Sequence, residues 1–325
     1  MSDVFTTVLL LALPASGKSE LRHLMANIEP ERLEREFHIG ENLQLDDFPY
    51  VHFMRRIDEE LERRSAERVF YPANELPFFD SRDWGTLIEL LNADYDDLMS
   101  RNRVNPSSMA EWLFDRIDRA ALTVDIKPRM ALLKEDLRHS IAQTLEAEAR
   151  EIRAGIESQY AESYEGKTLV IECARGGADG SEMPLSDGHG YQFSLPHFTP
   201  RILRDAAILY VWVTPEESRR KNEARANPDD PGSNLFHGVP LGVMLGDYGT
   251  DDMPYLQETS ERDGYITVDT HETTYYLPIG VFDNRVDKTS FLRAEPHEWD
   301  AQLVDELCGA LREATETMWS HLEQR

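Results

Sequence analysis

The chain is poor in cysteine and in positive charge. Only two of its 325 residues are cysteine, Cys173 and Cys308. This is too few for a disulfide framework and fits a reducing, cytoplasmic setting. Against 34 lysines and arginines stand 61 aspartates and glutamates, which gives a net charge of −27. Such a charge repels polyanions, so we expect neither a nucleic acid partner nor binding to an anionic membrane.

Long apolar runs are also scarce. The run from Val8 to Leu13 stops at a proline, and no later run approaches the roughly 20 residues that a membrane span needs. A secretory signal would begin with positive charge, whereas Met1-Ser2-Asp3 carries an acid. The apolar content of 41% is typical of a globular fold with a sizeable core.

A candidate phosphate-binding loop follows the apolar run. Residues 13–19 read Leu-Pro-Ala-Ser-Gly-Lys-Ser, and this fits the pattern G-x-x-x-x-G-K-[ST] except that Ala12 replaces the first glycine. A glycine before a helix start lets main-chain N–H groups curl around an anion. The lysine can reach terminal phosphates, and the serine hydroxyl can ligand Mg²⁺. The residues predicted to bind nucleotide are Pro14, Ala15, Ser16, Gly17, Lys18 and Ser19.

Apolar runs alternate with helical patterns along the chain. This predicts an α/β fold with three layers, α/β/α, around a mostly parallel sheet of about five strands. Residues 48–165 are dominated by helices, including one that a capping box opens at Ser108 and an amphipathic helix of about 30 residues after Pro128. Residues 178–200 and 227–253 lack periodicity and are predicted to be loops. The strand candidates are 6–13, 37–45, 168–173, 206–213, 265–268 and 276–282.

Polar residues stand at the ends of two predicted strands. Asp46 and Asp47 end one, and Glu172 and Arg175 end another. Because ligands bind at the carboxyl ends of strands in a parallel sheet, we expect these groups to approach the phosphate loop. Glu172 can serve Mg²⁺, and either aspartate can accept the proton of an attacking hydroxyl. A local ion pair or an acidic turn would explain the same residues without a site.

An arginine-rich helix follows the strand 206–213. Thr214 is its predicted N-cap, and a proline occupies its first position. Arg219, Arg220 and Arg225 can stabilise charge on a transferring phosphoryl group, because guanidinium forks match phosphate oxygens. The alternative is a solvated helix face on which these arginines pair with nearby glutamates.

These motifs resemble those of the P-loop kinase superfamily, in its nucleoside and small-molecule kinase branch. Leu-Pro-Ala-Ser-Gly-Lys-Ser at 13–19 is similar to the loops of polynucleotide kinase-like and zeta-toxin-like enzymes. Asp46-Asp47-Phe48 resembles that branch's substrate-binding or base aspartate, and Glu172-Cys173-Ala174-Arg175 resembles the acid-x-x-Arg of deoxynucleoside kinases. The helix at 215–225 resembles a mobile lid. The resemblance covers about half of the chain in short pieces.

The resemblance implies a domain organisation and a reaction. Residues 1–47 and 166–325 would form a P-loop NTPase core with a lid at about 214–253, and residues 48–165 would be an acceptor-binding insertion. ATP and Mg²⁺ would be the cofactors, and the acceptor would be a small hydroxyl compound such as a nucleoside or sugar nucleotide. The predicted catalytic residues are Lys18, Asp46, Asp47, Glu172, Arg175, Arg219, Arg220 and Arg225.

Two other functions remain open at this point. A nucleotide-dependent regulatory or binding protein would use the same loop with little or no kinase activity, but it needs no acceptor base such as Asp46 or Asp47. A polynucleotide end-kinase fits the loop, yet it conflicts with a net charge of −27 unless a local basic groove exists.

Overall fold

A computed structural model describes residues 3–225 and 238–324 of the chain. Six strands of the described residues lie in one sheet, and each overlaps one of the strand candidates of the sequence. They are β1 (Thr7–Leu11), β2 (Glu41–Asp46), β3 (Lys167–Cys173), β4 (Ala206–Trp212), β5 (Tyr265–Asp269) and β6 (Thr274–Asp283). The strand order is β2-β3-β1-β4-β6-β5; all neighbours are parallel except β5, which pairs antiparallel with β6. The predicted α/β fold with a mostly parallel sheet is confirmed, with six strands instead of about five.

Twelve α-helices accompany the sheet in the described ranges. They are α1 (Lys18–Ala26), α2 (Pro30–Phe37), α3 (Phe48–Arg63), α4 (Asp83–Ser100), α5 (Met109–Thr123), α6 (Glu135–Glu157), α7 (Gly190–Ser194), α8 (Pro200–Asp205), α9 (Pro215–Arg225), α10 (Leu241–Gly246), α11 (Met253–Thr259) and α12 (Ala301–Leu322). None of these helices has the length and apolar character to cross a membrane.

Alternate residues of the strands face two different cores. On one side, Leu10 and Val170 pack with α1, α2 and α12. On the other side, Leu9 and Ile171 pack with α4, α7, α8 and α11. This alternation follows from the two-residue period of a strand, and it explains why the buried strands read as unbroken apolar runs.

One strand and one helix begin later in the chain than predicted. The expected strand 37–45 begins only at Glu41, because Phe37 ends α2 and His38 caps that helix in the left-handed region, at φ 55°. The expected helix of about 30 residues after Pro128 is 23 residues long. Its predicted first turns are instead a turn held by Asp118, whose carboxylate accepts three main-chain N–H groups from residues 129–131 at 2.7–3.0 Å.

Predicted loops also contain short helices. Residues 178–200 include α7, and residues 238–253 include α10. Both helices are only five or six residues long, too short for helical periodicity to be visible in the sequence. The rest of the predicted loop 227–253, residues 227–237, lies outside the described part of the chain.

The helical stretch 48–165 packs around a further core, which it shares with Leu13, Val213 and residues of the segment 243–248. Phe53 on α3 and Phe114 on α5 lie in this core together with residues of α6. Helix α4 belongs to two cores, since Leu87 faces the helical stretch and Ile88 faces the sheet. Through α4, the helices of this stretch therefore pack directly against the sheet beside β2.

Strands β1 and β3 are neighbours whose continuing chains leave on opposite faces. The chain after β1 enters α1 on one face, and the chain after β3 reaches α7 and α8 on the other. A crevice opens at the carboxyl ends of strands at such a switch point, and ligands of α/β proteins bind there.

The loop before α4 depends on one buried carboxylate. Asp58 of α3 accepts the main-chain N–H groups of Val69, Phe70 and Tyr71 at 2.6, 3.1 and 2.7 Å. We expect Asp58→Ala to lower the free energy of unfolding by about 3 kcal/mol, because each buried amide left without an acceptor costs roughly 1–3 kcal/mol. Urea unfolding measures this loss.

The matched control is Glu62→Ala on the same helix. Glu62 is exposed, and Arg68 is its only ion-pair partner among the described residues. This change should alter stability by less than about 0.5 kcal/mol. Equal losses for the two variants would contradict the role of Asp58.

Candidate functional site

A cavity of about 320 Å³ lies at the carboxyl ends of β1, β2 and β3. The candidate phosphate-binding loop of the sequence, residues 13–19, which we term the phosphate loop, forms one end of it. Side chains from α3, from the segment 71–84 and from α10 with the residues that follow it form the opposite end, which we term the distal end. Asp46, Asp47 and Glu172 lie between the two. The predicted convergence of strand-end residues on the phosphate loop is therefore observed for these three acids.

The phosphate loop has the conformation of an anion cradle. Ala15 and Gly17 have positive φ angles, 55° and 110°. Among the described residues, no acceptor forms a hydrogen bond with the main-chain N–H groups of Ala15, Ser16, Gly17 and Lys18. Successive free N–H groups in alternating right- and left-handed conformations form a concave site for anions. Glycine is required at position 17, since a Cβ there would lie 2.5 Å from Thr289 Oγ1.

Three side chains from distant segments hold this loop in place. Ser218 of α9 donates to the Pro14 carbonyl at 2.7 Å. Asn284, directly after β6, donates to the Ser16 carbonyl at 2.6 Å, and the Tyr191 hydroxyl donates to the Ala12 carbonyl at 3.1 Å. The carbonyls are thereby satisfied from outside while the N–H groups stay free, so the loop is preorganised for a negatively charged ligand.

Lys18 is buried at the centre of the loop. Its Nζ donates to the carbonyls of Ala12 and Leu13 at 3.2 and 3.4 Å and lies 4.0 Å from Glu172 Oε1. Burial lowers the pKa of Lys18, and the negative charge of Glu172 opposes this shift only in part. An ammonium group that is desolvated and makes only long, weak contacts is strongly stabilised when an anion binds beside it. Lys18 therefore fits the predicted phosphate contact.

Asp46 and Glu172 are adjacent in the sheet and share one cation. They occupy paired positions of β2 and β3. Arg22 Nη1 lies 2.5 Å from Glu172 Oε2 and 3.7 Å from Asp46 Oδ2. Burial, followed by the repulsion from Glu172, raises the pKa of Asp46 to about 7. A carboxyl group with such a pKa can take up a proton near neutral pH.

Arg22 is not among the site residues predicted from the sequence. The available signal was its spacing, since Arg22 follows Lys18 by four residues and so shares a helix face with it. That face points toward the carboxylates at the ends of β2 and β3.

Asp47 is paired with Arg175 behind the cavity. Arg175 Nη1 donates to Asp47 Oδ2 at 2.6 Å, and other nitrogens of the same guanidinium reach Ser194 Oγ at 3.1 Å and the Trp84 carbonyl at 3.2 Å. Burial raises the pKa of Asp47, although Arg175 opposes the shift. The guanidinium of Arg175 does not line the cavity; it positions Asp47 and Trp84, which do.

Arg219 and Arg220 of α9 do not line the cavity. Arg219 lies 3.4 Å from Asp179 and 3.5 Å from Glu216, and Arg220, 57% exposed, pairs with Glu217 at 2.6 Å. The side chain of Arg225 lies outside the described part of the chain. The pairing of Arg219 and Arg220 with acids corresponds to the solvated-face alternative of the sequence analysis.

Helix α9 turns a different cation toward the phosphate loop. Lys221 is buried, and its Nζ donates to Asp287 Oδ1 at 2.8 Å and to Thr289 Oγ1 at 3.1 Å. Thr289 is the residue that lies against Gly17. Lys221 therefore supports the loop from behind, a role that its sequence neighbourhood gave no reason to assign.

The donor set beside the loop fits Mg²⁺ in its usual coordination mode. Ser19 and Glu172 both line the cavity next to Lys18. Within residues 3–225 and 238–324, no three His, Cys, Asp or Glu side chains cluster as a complete metal site. Protein-bound Mg²⁺ commonly takes one or two carboxylates and completes its shell with water and substrate phosphates. A hydroxyl and a carboxylate beside a phosphate site agree with that mode.

The distal end of the cavity was also missed by the sequence analysis. The guanidinium of Arg55 lies 3.9 Å from the ring centroid of Tyr71, and its Nη1 donates to the Asn74 carbonyl at 2.5 Å. Trp84 and Asp247 complete this end. These residues belong to no motif, and only the tertiary fold brings residue 247 to residues 55–84.

The comparisons with known proteins identify no relative. The chain matches no protein-family model, no curated protein and no solved structure. The function is therefore inferred from the motifs of the sequence and from the geometry of the cavity.

The raised pKa of Asp46 predicts a pH-dependent effect on stability. In the unfolded chain this carboxyl has its ordinary pKa near 3.8, whereas in the folded protein the pKa is about 7. The folded state therefore binds the proton more tightly, and stability falls as the pH rises from about 4 to about 7. We expect Asp46→Asn to be more stable than the wild type at pH 8, by about 2 kcal/mol, a figure that allows for the partial exposure of the carboxyl.

Urea unfolding at a series of pH values measures this difference, which should vanish toward pH 4. Asp96→Asn is the control, because Asp96 is 66% exposed on α4. A wild type as stable at pH 8 as Asp46→Asn would show that the carboxylate is not destabilised by its surroundings.

Proposed function

We propose that the protein is an ATP-dependent phosphotransferase that acts on a small hydroxyl-bearing acceptor. One observation carries the proposal: a single cavity joins a loop of free main-chain N–H groups and Lys18 to a carboxyl group with a pKa of about 7 and then to the distal end. A nucleotide site alone would need only the first part. The continuation past Asp46 gives room for a second substrate.

The fold supports the finer assignment to a P-loop kinase-like core. Strand β1 is central in the sheet, the loop 13–19 connects it to α1, and helices cover both faces. The motif Leu-Pro-Ala-Ser-Gly-Lys-Ser is the part of the chain whose resemblance to that superfamily is most specific. Since Ala12 is fully buried in the core and its carbonyl accepts from Lys18, alanine fits the position where the motif has its first glycine.

Charge neutralisation at the transferring phosphate is assigned to the loop. The N–H groups of residues 15–18 and the ammonium of Lys18 would contact the β- and γ-phosphate oxygens. Ser19 and Glu172 would hold Mg²⁺, which when bound neutralises further phosphate charge. Arg22 holds Glu172 and Asp46 at the edge of this site, so it acts as a positioning residue.

Proton transfer is assigned to Asp46. As the acceptor oxygen forms its bond to the γ-phosphorus and the bond to the bridging oxygen breaks, the hydroxyl proton passes to the Asp46 carboxylate. Asp47 is the weaker candidate for this role, because its Oδ2 is held by Arg175 at 2.6 Å. The proposal does not require Arg219 or Arg220, which pair with acids outside the cavity.

Lys18→Ala tests the nucleotide site. We expect this change to weaken the binding of ATP with Mg²⁺ at least a hundredfold, because it removes the cation of the cradle while the fold remains. Isothermal titration calorimetry measures the affinity, and circular dichroism checks the fold. Lys167→Ala is the control, since Lys167 starts β3 at the opposite end of the sheet. Unchanged ATP affinity in Lys18→Ala would refute the assignment of the loop.

Asp46→Asn tests the phosphoryl transfer. In a panel of nucleosides, sugars and sugar nucleotides with ATP and Mg²⁺, the wild type should phosphorylate at least one compound. Its rate should rise up to about pH 7 and then level off. The Asp46→Asn variant should bind ATP normally but turn over about 10²–10⁴-fold more slowly, the usual contribution of a general base.

The control for this experiment is again Asp96→Asn, which should keep the wild-type rate. ATP binding without turnover toward any acceptor would favour a regulatory nucleotide-binding protein instead. Turnover with an oligonucleotide end alone would favour the polynucleotide kinase.

A further inference from the structure

Three buried polar atoms without a partner lie together at the distal end of the cavity. They are the hydroxyl of Tyr71, the indole Nε1 of Trp84 and the carboxylate Oδ2 of Asp247, and none has a hydrogen-bond partner among the described residues. Their side chains are only 1%, 3% and 3% exposed. Buried polar atoms are nearly always paired, so three unpaired ones lining a single cavity point to a ligand that supplies the missing partners.

These groups are held rigidly in place. The main-chain N–H of Tyr71 is fixed by Asp58, and the Tyr71 ring stacks on Phe78 with the ring centroids 4.3 Å apart. Trp84 lies edge-on against the rings of Phe78 and Tyr248, at 5.1 and 5.6 Å. A fixed set of donors and acceptors selects ligands by the pattern of their own polar groups.

The pattern of these groups is directional. The indole N–H of Trp84 can only donate, the Tyr71 hydroxyl can donate, and Arg55 adds a guanidinium beside Tyr71. Asp247 supplies an acceptor, and burial raises the pKa of its carboxyl to about 7. The nearby Trp84 N–H and Arg55 oppose this shift, although the indole does not reach Asp247 with hydrogen-bond geometry. The complementary ligand has a carbonyl oxygen for the donors next to an N–H group for Asp247.

The walls of the distal end are flat. The rings of Tyr71, Trp84 and Tyr248 all line the cavity, and aromatic walls stack best on a planar group. A strongly anionic group is disfavoured there by Asp247 and Glu59, and a strongly cationic group by Arg55.

We propose that the distal end binds a planar ring with a lactam edge, of the kind found in oxo-pyrimidine and oxo-purine bases, as the recognition element of the acceptor. Only the description of this ring as part of the acceptor rests on the proposed function. The binding site itself consists of Tyr71, Trp84, Asp247 and Arg55, none of which takes part in phosphoryl transfer.

Calorimetric titration without ATP tests the proposal independently of any transfer. Uridine and inosine carry the lactam edge, 3-methyluridine and 1-methylinosine have its N–H blocked, and ribose lacks the ring. We expect at least one of uridine and inosine to bind at least tenfold more tightly than its methylated partner and than ribose. Equal binding of the methylated compounds or of ribose, tighter binding of cytidine or adenosine, or no nucleoside binding at all would overturn the proposal.

Two variants connect the binding to the unpaired atoms. Tyr71→Phe removes an unpaired buried hydroxyl, so it should raise the melting temperature of the free protein and weaken uridine or inosine binding about tenfold. Asp247→Asn should weaken the same binding at least as much. Tyr276→Phe, at an exposed hydroxyl on β6 that donates to Glu261, is the control and should leave the affinity unchanged.

The outcomes separate this inference from the proposed function. Selective binding that both variants weaken, without any turnover, would leave the lactam site standing and refute the kinase. Turnover of an acceptor without a lactam ring, unaffected by Tyr71→Phe and Asp247→Asn, would refute the lactam site and leave the kinase standing.

Discussion

The buried guanidinium of Arg175 connects four parts of the structure. It follows β3 and donates to Asp47 at the start of α3, to Ser194 at the end of α7 and to the main chain of Trp84 in α4. With a side chain only 1% exposed, it has lost its hydration, and these contacts replace it. The helical stretch 48–165 is thereby joined to the sheet at the point where the cavity opens. Removing one member of such a buried pair typically costs about 3–5 kcal/mol, since the other charge remains unpaired.

The same edge of the sheet concentrates acids whose repulsion shapes the site. Asp46, Asp47 and Glu172 lie within one cavity, and the cations nearest to them are Lys18, Arg22 and Arg175. The balance is local and uneven: Arg175 is paired with Asp47, and Arg22 lies much nearer to Glu172 than to Asp46. Burial, followed by the repulsion from Glu172, raises the pKa of Asp46 to about 7, and Arg22 opposes this shift only in part. The proton acceptor that we propose is thus a buried acid whose nearest cation, Arg22, lies closer to a neighbouring acid.

Much of the fold could be predicted from local patterns. Buried parallel strands appear as apolar runs, and β1, β3 and β4 were located within two residues because each is covered on both faces. Helix starts with a capping side chain were also predictable: Ser108 accepts from the N–H of Glu111, and Thr214 from that of Glu217. These signals depend only on residues close in sequence. The phosphate loop belongs to the same class.

The partners of the site residues could not be predicted, because they depend on contacts across the chain. Arg175 was expected near phosphate, yet its position three residues after Glu172 does not reveal that Asp47, 128 residues earlier, would hold it. Arg219 and Arg220 of α9 have acids within one helical turn, and they pair with these acids instead of reaching the cavity. The distal end of the cavity joins residue 247 to residues 55–84 and leaves no pattern in either segment.

Hydrogen bonding separates the structural acids of this chain from Asp247 of the cavity. Asp58 and Asp118 each accept three main-chain N–H groups, and Asp252 accepts two, from Tyr191 and Gln192. Such carboxylates are fully used in holding loops and helix starts. Asp247 is equally buried, yet its Oδ2 has no partner in the described part of the chain.

The missing hydrogen bond of Asp247 Oδ2 has an energetic cost. A buried acceptor without a donor reduces stability by roughly 1–3 kcal/mol, and the nearby Trp84 N–H and Arg55 only partly oppose the cost of burying Asp247. In a chain with 61 acids, composition alone cannot tell which of them matter for function. The unpaired state of Asp247 Oδ2, together with those of Tyr71 and Trp84 on the same wall, distinguishes it from the acids that serve the fold.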